Sequence, residues 1–78
     1  MMNEWQIEMT IFDVNREIQC LVKADGLNEA KQAAITEFRK QFPEKKNLYL
    51  EAKGKLVYAI VSNLVDVGEV RFVFISGK

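Results

Sequence analysis

Trp5, Ile7, Met9 and Ile11 alternate with Gln6, Glu8 and Thr10, the period-two pattern of a strand with one buried face. This predicts a first strand from Glu4 to Phe12. Ile18, Cys20, Val22 and Ala24 alternate in the same way with Glu17, Gln19, Leu21 and Lys23, and the intervening Asp13-Val14-Asn15-Arg16 is turn chemistry. The two runs therefore read as a hairpin. Pairing Trp5 with Ala24, Ile7 with Val22, Met9 with Cys20 and Ile11 with Ile18 puts all four apolar pairs on one face.

After Ala24-Asp25-Gly26 the period changes. Leu27, Ala30, Ala34, Phe38 and Phe42 recur at spacings of three and four, with Ile35 widening the stripe, which predicts an amphipathic helix. Gly26 suits the N-cap, Glu29 stands at the third helical position as half a capping box, and Pro43 stops the helix near Phe42. Gln32, Thr36, Arg39 and Lys40 fall on its wet face. Leu48 to Ala52 alternates again, Lys53-Gly54 offers a two-residue turn, and Leu56 to Val65 reads as one long strand. Asp66-Val67-Gly68-Glu69 repeats the turn signal before a last strand from Val70 to Ser76. Ser62-Asn63 interrupts the long run as a bulge, a polar site or a turn that splits it, and a bulge or sheet edge is the reading we favour.

The pattern thus predicts an α+β fold in the order ββαβββ, with one amphipathic helix on one face of a mainly antiparallel sheet of four to five strands. A length of 78 residues implies a single domain over residues 1–78. A domain this small buries only about 60% of the surface of its unfolded chain, so a partner surface would matter to its stability.

Alternation also sorts the sheet residues. Trp5, Ile7, Met9, Ile11, Leu48, Leu50, Val57, Val61, Val70, Phe72 and Phe74 are expected beneath the helix, together with Ile18, Cys20 and Val22 of the second strand. Phe12, Leu21, Tyr49, Leu56, Tyr58, Ile60, Val73 and Ile75 are expected on the outer face. One helix cannot cover both faces, and eight apolar side chains exceed what an open antiparallel sheet leaves to water. Tyr49, Tyr58, Ile60, Val73 and Ile75 are accordingly the expected protein-binding patch, for a homodimer or for a small adaptor or inhibitor.

Charge adds one alternative. The 11 basic and 11 acidic residues cancel, so no global field points to nucleic acid or an anionic membrane. Residues 39–55, however, hold six basic groups against Glu44 and Glu51. Lys45, Lys46, Lys53 and Lys55, with Tyr49 and Tyr58 between them, are the expected contacts of a nucleic-acid-binding module, the second reading.

Catalysis finds little support. The chain has no histidine, which removes the commonest general base and metal ligand. Cys20 falls in an inward row as a small core hydrophobe, and Asp13, Asp25, Asp66 and Glu69 fall in turns or at the helix start. Glu8 and Glu17 share an outward face as a solvated pair. No spacing fits a metal site and no glycine pattern fits a nucleotide loop. The expectation is a non-enzymatic chain without metal or cofactor. A lone cysteine, no signal peptide and no apolar run of about 20 residues point to the cytoplasm and away from a membrane. The leading hairpin, the Ala-Asp-x-x-x-Glu-Ala helix start at residues 24–30 and the trailing meander resemble small accessory proteins of phages and mobile elements, without singling out a family.

Overall fold

A computed structural model describes residues 2–76. Strands β1 (Asn3–Ile11) and β2 (Arg16–Ala24) form the leading hairpin, and helix α1 (Leu27–Gln41) follows. Strands β3 (Leu48–Gly54), β4 (Val57–Ser62) and β5 (Val65–Ser76) complete the chain. The five strands lie in the order β2-β1-β5-β4-β3 and every neighbouring pair is antiparallel. The helix therefore carries the chain from one sheet edge, β2, to the other, β3. The α+β class and the ββαβββ order are those the hydrophobic pattern predicts.

Local chemistry sets the helix ends, although Glu29 reaches back to Asp25, one residue before the Gly26 cap. The Gly26 carbonyl accepts the first helical bond from the Ala30 N–H (3.1 Å), and the Asp25 N–H donates to Glu29 Oε1 (2.9 Å). At the other end the Phe42 N–H donates to the Phe38 carbonyl (2.9 Å), and Pro43 prevents continuation. Ala30, Ala34 and Phe38 make the buried face. The two alanines let the helix axis approach the sheet, where Ile7, Met9, Ile11, Val70 and Phe72 from the central strands fill the core.

The first hairpin keeps its predicted faces but not its register. Trp5 pairs with Val22, Ile7 with Cys20, Met9 with Ile18 and Ile11 with Arg16. The turn keeps four residues but lies one residue earlier, at Phe12 to Asn15, with Asn15 in the left-handed region (φ 49°) and its N–H donating to the Phe12 carbonyl (3.3 Å). A slip of two residues leaves every side chain on its original face.

The second half of the chain departs further. The Lys53-Gly54 turn lies two residues later, at Lys55-Leu56, where Leu56 takes the positive φ (60°) while Gly54 stays in the strand. Leu50 then pairs with Ile60, Ala52 with Tyr58, and Tyr58 with Val70. Tyr58 and Ile60 consequently face the helix, and Val57, Ala59 and Val61 face away, the reverse of the expected assignment. Leu56 packs against the helix-side core as well. The predicted long strand is split by a two-residue turn, Asn63-Leu64, both left-handed (φ 50° and 67°), between paired Ser62 and Val65. That is the turn reading of Ser62-Asn63, not the favoured bulge.

Asp66 to Glu69, expected as a turn, lies inside β5, where the pairing with β4 skips Val67 as a bulge. Gly68 has a packing role there. A Cβ at this position would stand 2.6 Å from the Thr10 carbonyl oxygen, so only glycine lets β1 and β5 meet at this point.

Two expectations follow. Ile7→Asp or Phe38→Asp should abolish cooperative melting, since each places an unpaired charge in the core of a domain stabilised by only about 3–5 kcal/mol; Thr36→Asp, on the exposed helix face, should melt near the parent temperature. Leu64→Gly should raise the melting temperature by relieving a left-handed leucine, worth about 1 kcal/mol. Circular dichroism melts check both, and a lower melting temperature for the glycine variant would contradict the turn geometry.

Candidate functional site

The predicted protein-binding residues do not form one patch. Tyr49 lies on the outer side of edge strand β3 opposite Val61, and Val73 lies on the outer side of β5 opposite Gln6. Ile75 is exposed near the end of β5, where the register with β1 shifts. Ile60 is 3% exposed and belongs to the core. Tyr58 stacks edge-on against Phe72 (5.7 Å, 80°) beneath the Lys31 ammonium, which sits 4.9 Å from its ring centre. Across the middle of the outer face run two polar rows, Glu69-Thr10-Glu17 and Arg71-Glu8-Gln19. They separate Val73 and Leu21 from Val61 and Tyr49, so the continuous outer apolar face expected from alternation is not formed.

The predicted nucleic-acid contacts are also dispersed. Lys45 Nζ donates to Asp13 Oδ2 (2.9 Å), and this bond holds the Asp13 carboxyl below its ordinary value. The Lys46 carbonyl accepts from Ser62 Oγ (2.7 Å), and Asn47 Nδ2 donates to Asn63 Oδ1 (2.6 Å). These three bonds tie the α1–β3 loop to two hairpin turns and fix where β3 begins. Lys53 and Lys55 sit at the far end of β3. Tyr58, turned under the helix, offers no outer stacking surface beside them.

Cys20 is half-buried on β2, and burial together with the nearby Glu37 charge raises its thiol pKa. It therefore stays protonated and poorly nucleophilic at neutral pH.

A different grouping emerges on the helix side. Lys31, Ile35 and Arg39 lie on one flank of α1 and, with Gln32 and Thr36, face Leu48, Tyr49 and Leu50 of β3 across an open groove. Its floor continues into a small gap beneath the helix lined by Met9, Ala34, Phe38, Ile60 and Val70. Leu48 and Leu50 pack against the core but remain partly uncovered, and Tyr49 is 42% exposed beside them. Among the described residues no strand adjoins the free side of β3, so its outward backbone groups are open to pairing. Sequence reasoning missed this site because it placed Arg39 on the wet face and Ile35 in the stripe. The stripe Lys31, Ile35, Arg39 at steps of four was the available signal.

Exposed apolar residues also gather at the turn end. Phe12 and Val14 project from the β1–β2 turn and Leu64, 85% exposed, from the β4–β5 turn beside exposed Val65. The Phe12 N–H donates to the Val67 carbonyl (3.0 Å), which brings the two hairpins to the same end of the sheet. No helix among the described residues is long and apolar enough to cross a membrane. Comparisons with protein-family models, with curated proteins and with solved structures find no match to this chain.

The Lys45–Asp13 bond has a pH signature. A carboxyl whose folded pKa lies below its unfolded value stabilises the fold at neutral pH and loses that contribution as pH falls through the folded pKa. In a carboxyl-detected NMR titration Asp13 should titrate below the ordinary carboxylate range, and Lys45→Met should return it there. An unchanged midpoint in the variant would show that the ion pair does not persist in solution.

Proposed function

We propose that this chain is a non-enzymatic protein-contact module, a small adaptor or inhibitor, that engages its partner through the β3 side of the sheet. The observation that carries this reading is the combination at one edge of an unpaired strand, an exposed Tyr49 and a half-covered apolar groove beside α1. Such an edge supplies backbone hydrogen bonds for affinity, and the groove supplies side-chain selectivity. An aromatic at the margin of an apolar floor, with cations around it, has the composition of an interface centre and rim. The leading hairpin, helix start and trailing meander, which resemble those of small phage and mobile-element accessory proteins, are in keeping with an adaptor or inhibitor working in the cytoplasm.

A second reading, binding of single-stranded nucleic acid, draws on Lys46, Lys53 and Lys55 around the same strand. It has less support, because Lys45 is engaged by Asp13 and Tyr58 is turned beneath the helix.

The test uses the purified chain, its Tyr49→Asp variant and, as a control at the opposite edge, Leu21→Asp. Tyr49→Asp should lose stoichiometric co-purification of a partner from source-cell extract while melting like the parent, and Leu21→Asp should retain it. Loss in Leu21→Asp with retention in Tyr49→Asp would move the contact surface to β2. A gel shift with labelled oligonucleotides at low salt, abolished by Lys46→Glu plus Lys53→Glu, would favour the second reading.

A further inference from the structure

The groove between α1 and β3 has a defined length, floor and charge. Lys31 and Arg39 stand eight residues apart on one helix flank with Ile35 midway, which separates the two cations by about 12 Å along the helix axis. An extended strand covers about 13 Å in four residues, and its side chains at i, i+2 and i+4 share one face. We propose that the groove takes an extended segment of a partner protein, added to the sheet beside β3 as a sixth strand, in which carboxylates at i and i+4 flank an apolar residue at i+2. The carboxylates meet Lys31 and Arg39, and the apolar residue covers Ile35, Leu48 and Leu50. This rests on the reading of the β3 side as the contact surface, and adds what occupies it.

Charge decides the chemistry of the occupant. Lys46 precedes β3, Lys53 and Lys55 lie at its end, and Lys31 and Arg39 line the groove, with Glu51 the one acid on the strand. Among the described residues none of these five cations pairs with a carboxylate, the ion pairs being Lys45 with Asp13 and Arg71 with Glu8. An incoming acid would therefore displace no carboxylate, and would meet Lys31 at its place over the Tyr58 ring. A second copy of the chain is the poorer occupant. Residues 45–55 carry four lysines against Glu51, so edge-to-edge pairing of two β3 strands would set like charges together. The acid-x-apolar-x-acid run this sequence does contain, Asp25-Gly26-Leu27-Asn28-Glu29, is folded into the start of α1 and is not an extended segment that a second copy could offer.

The probe is a capped synthetic peptide, Gly-Thr-Glu-Thr-Leu-Thr-Glu-Thr-Gly, whose central pattern reads the same in either strand direction. It is titrated into isotope-labelled protein followed by amide NMR, in parallel with versions carrying Gln or Lys for both Glu and Ser for Leu. The expected result is saturable shifts confined to β3 and the Lys31–Arg39 flank. Binding should be about tenfold weaker for the Gln and Ser peptides, absent for the Lys peptide, and weaker at higher salt. Lys31→Glu plus Arg39→Glu should reverse the preference between the Glu and Lys peptides.

Equal binding of the Glu and Gln peptides would overturn the charge assignment while leaving β3 as a contact surface. No shift in β3 up to about millimolar peptide would overturn the extended-segment proposal; if Tyr49→Asp still abolished partner co-purification, the underlying reading would survive it. A doubled mass by light scattering that Tyr49→Asp reduces to a monomer would identify a second copy as the occupant and contradict the proposal. Shifts on the same residues with oligouridine and none with the acidic peptide would contradict both it and the reading beneath it.

Discussion

A helix body is about 10 Å across, whereas five strands at about 4.8 Å spacing span about 19 Å. One helix therefore covers only part of this sheet, and where it lies decides which strands are core and which are surface. Here α1 packs most closely on β2, with Ala30, Ala34 and Phe38 over the central strands β1 and β5. Cover is incomplete at both edges, where the inward Cys20 and Val22 of β2 and Leu48 and Leu50 of β3 are only half-buried. The connection from α1 to β3 enforces this arrangement, because Lys45, Lys46 and Asn47 are anchored to Asp13, Ser62 and Asn63 and the strand cannot slide under the helix.

At β3 the incomplete cover has two chemical consequences. Leu48, Leu50 and Ile35 keep part of their apolar surface in contact with solvent, and the outward backbone of β3 keeps its hydrogen-bonding groups. An edge strand of this kind is a liability for aggregation, and natural proteins blunt it with charge, lysine above all. Lys46, Lys53, Lys55, Lys31 and Arg39 surround the edge in that fashion. In the proposed reading, the same cations that discourage a second copy would also select a partner of opposite charge.

Much of this was legible from the sequence. β1 and β3 alternate apolar with polar side chains, β5 does so around Arg71, and the helix shows a clear stripe; their faces were read correctly. β4 was not legible, because Leu56, Tyr58 and Ile60 on one side and Val57, Ala59 and Val61 on the other are both apolar. Alternation carries no facing information in such a run. Only the turn position could set it, and the turns hide their signals: Leu56, Asn63 and Leu64 take the left-handed conformations that glycine usually supplies, while Gly68, which looked like a turn residue, is required where the Thr10 carbonyl crowds β5. The groove was hidden for a related reason. It joins a helix flank to a strand that pairs at the opposite edge from β2, and no local pattern records that juxtaposition.

Amide hydrogen exchange on the free chain tests most directly whether the helix leaves β3 open. Amides of β1 and β5 should exchange only through global unfolding, whereas β3 amides not bonded to β4, and those flanking the groove, should exchange through smaller openings at markedly faster rates. Protection of the whole of β3 equal to that of β1 and β5 would mean that the strand is covered in solution, and would contradict an open edge as the basis of function.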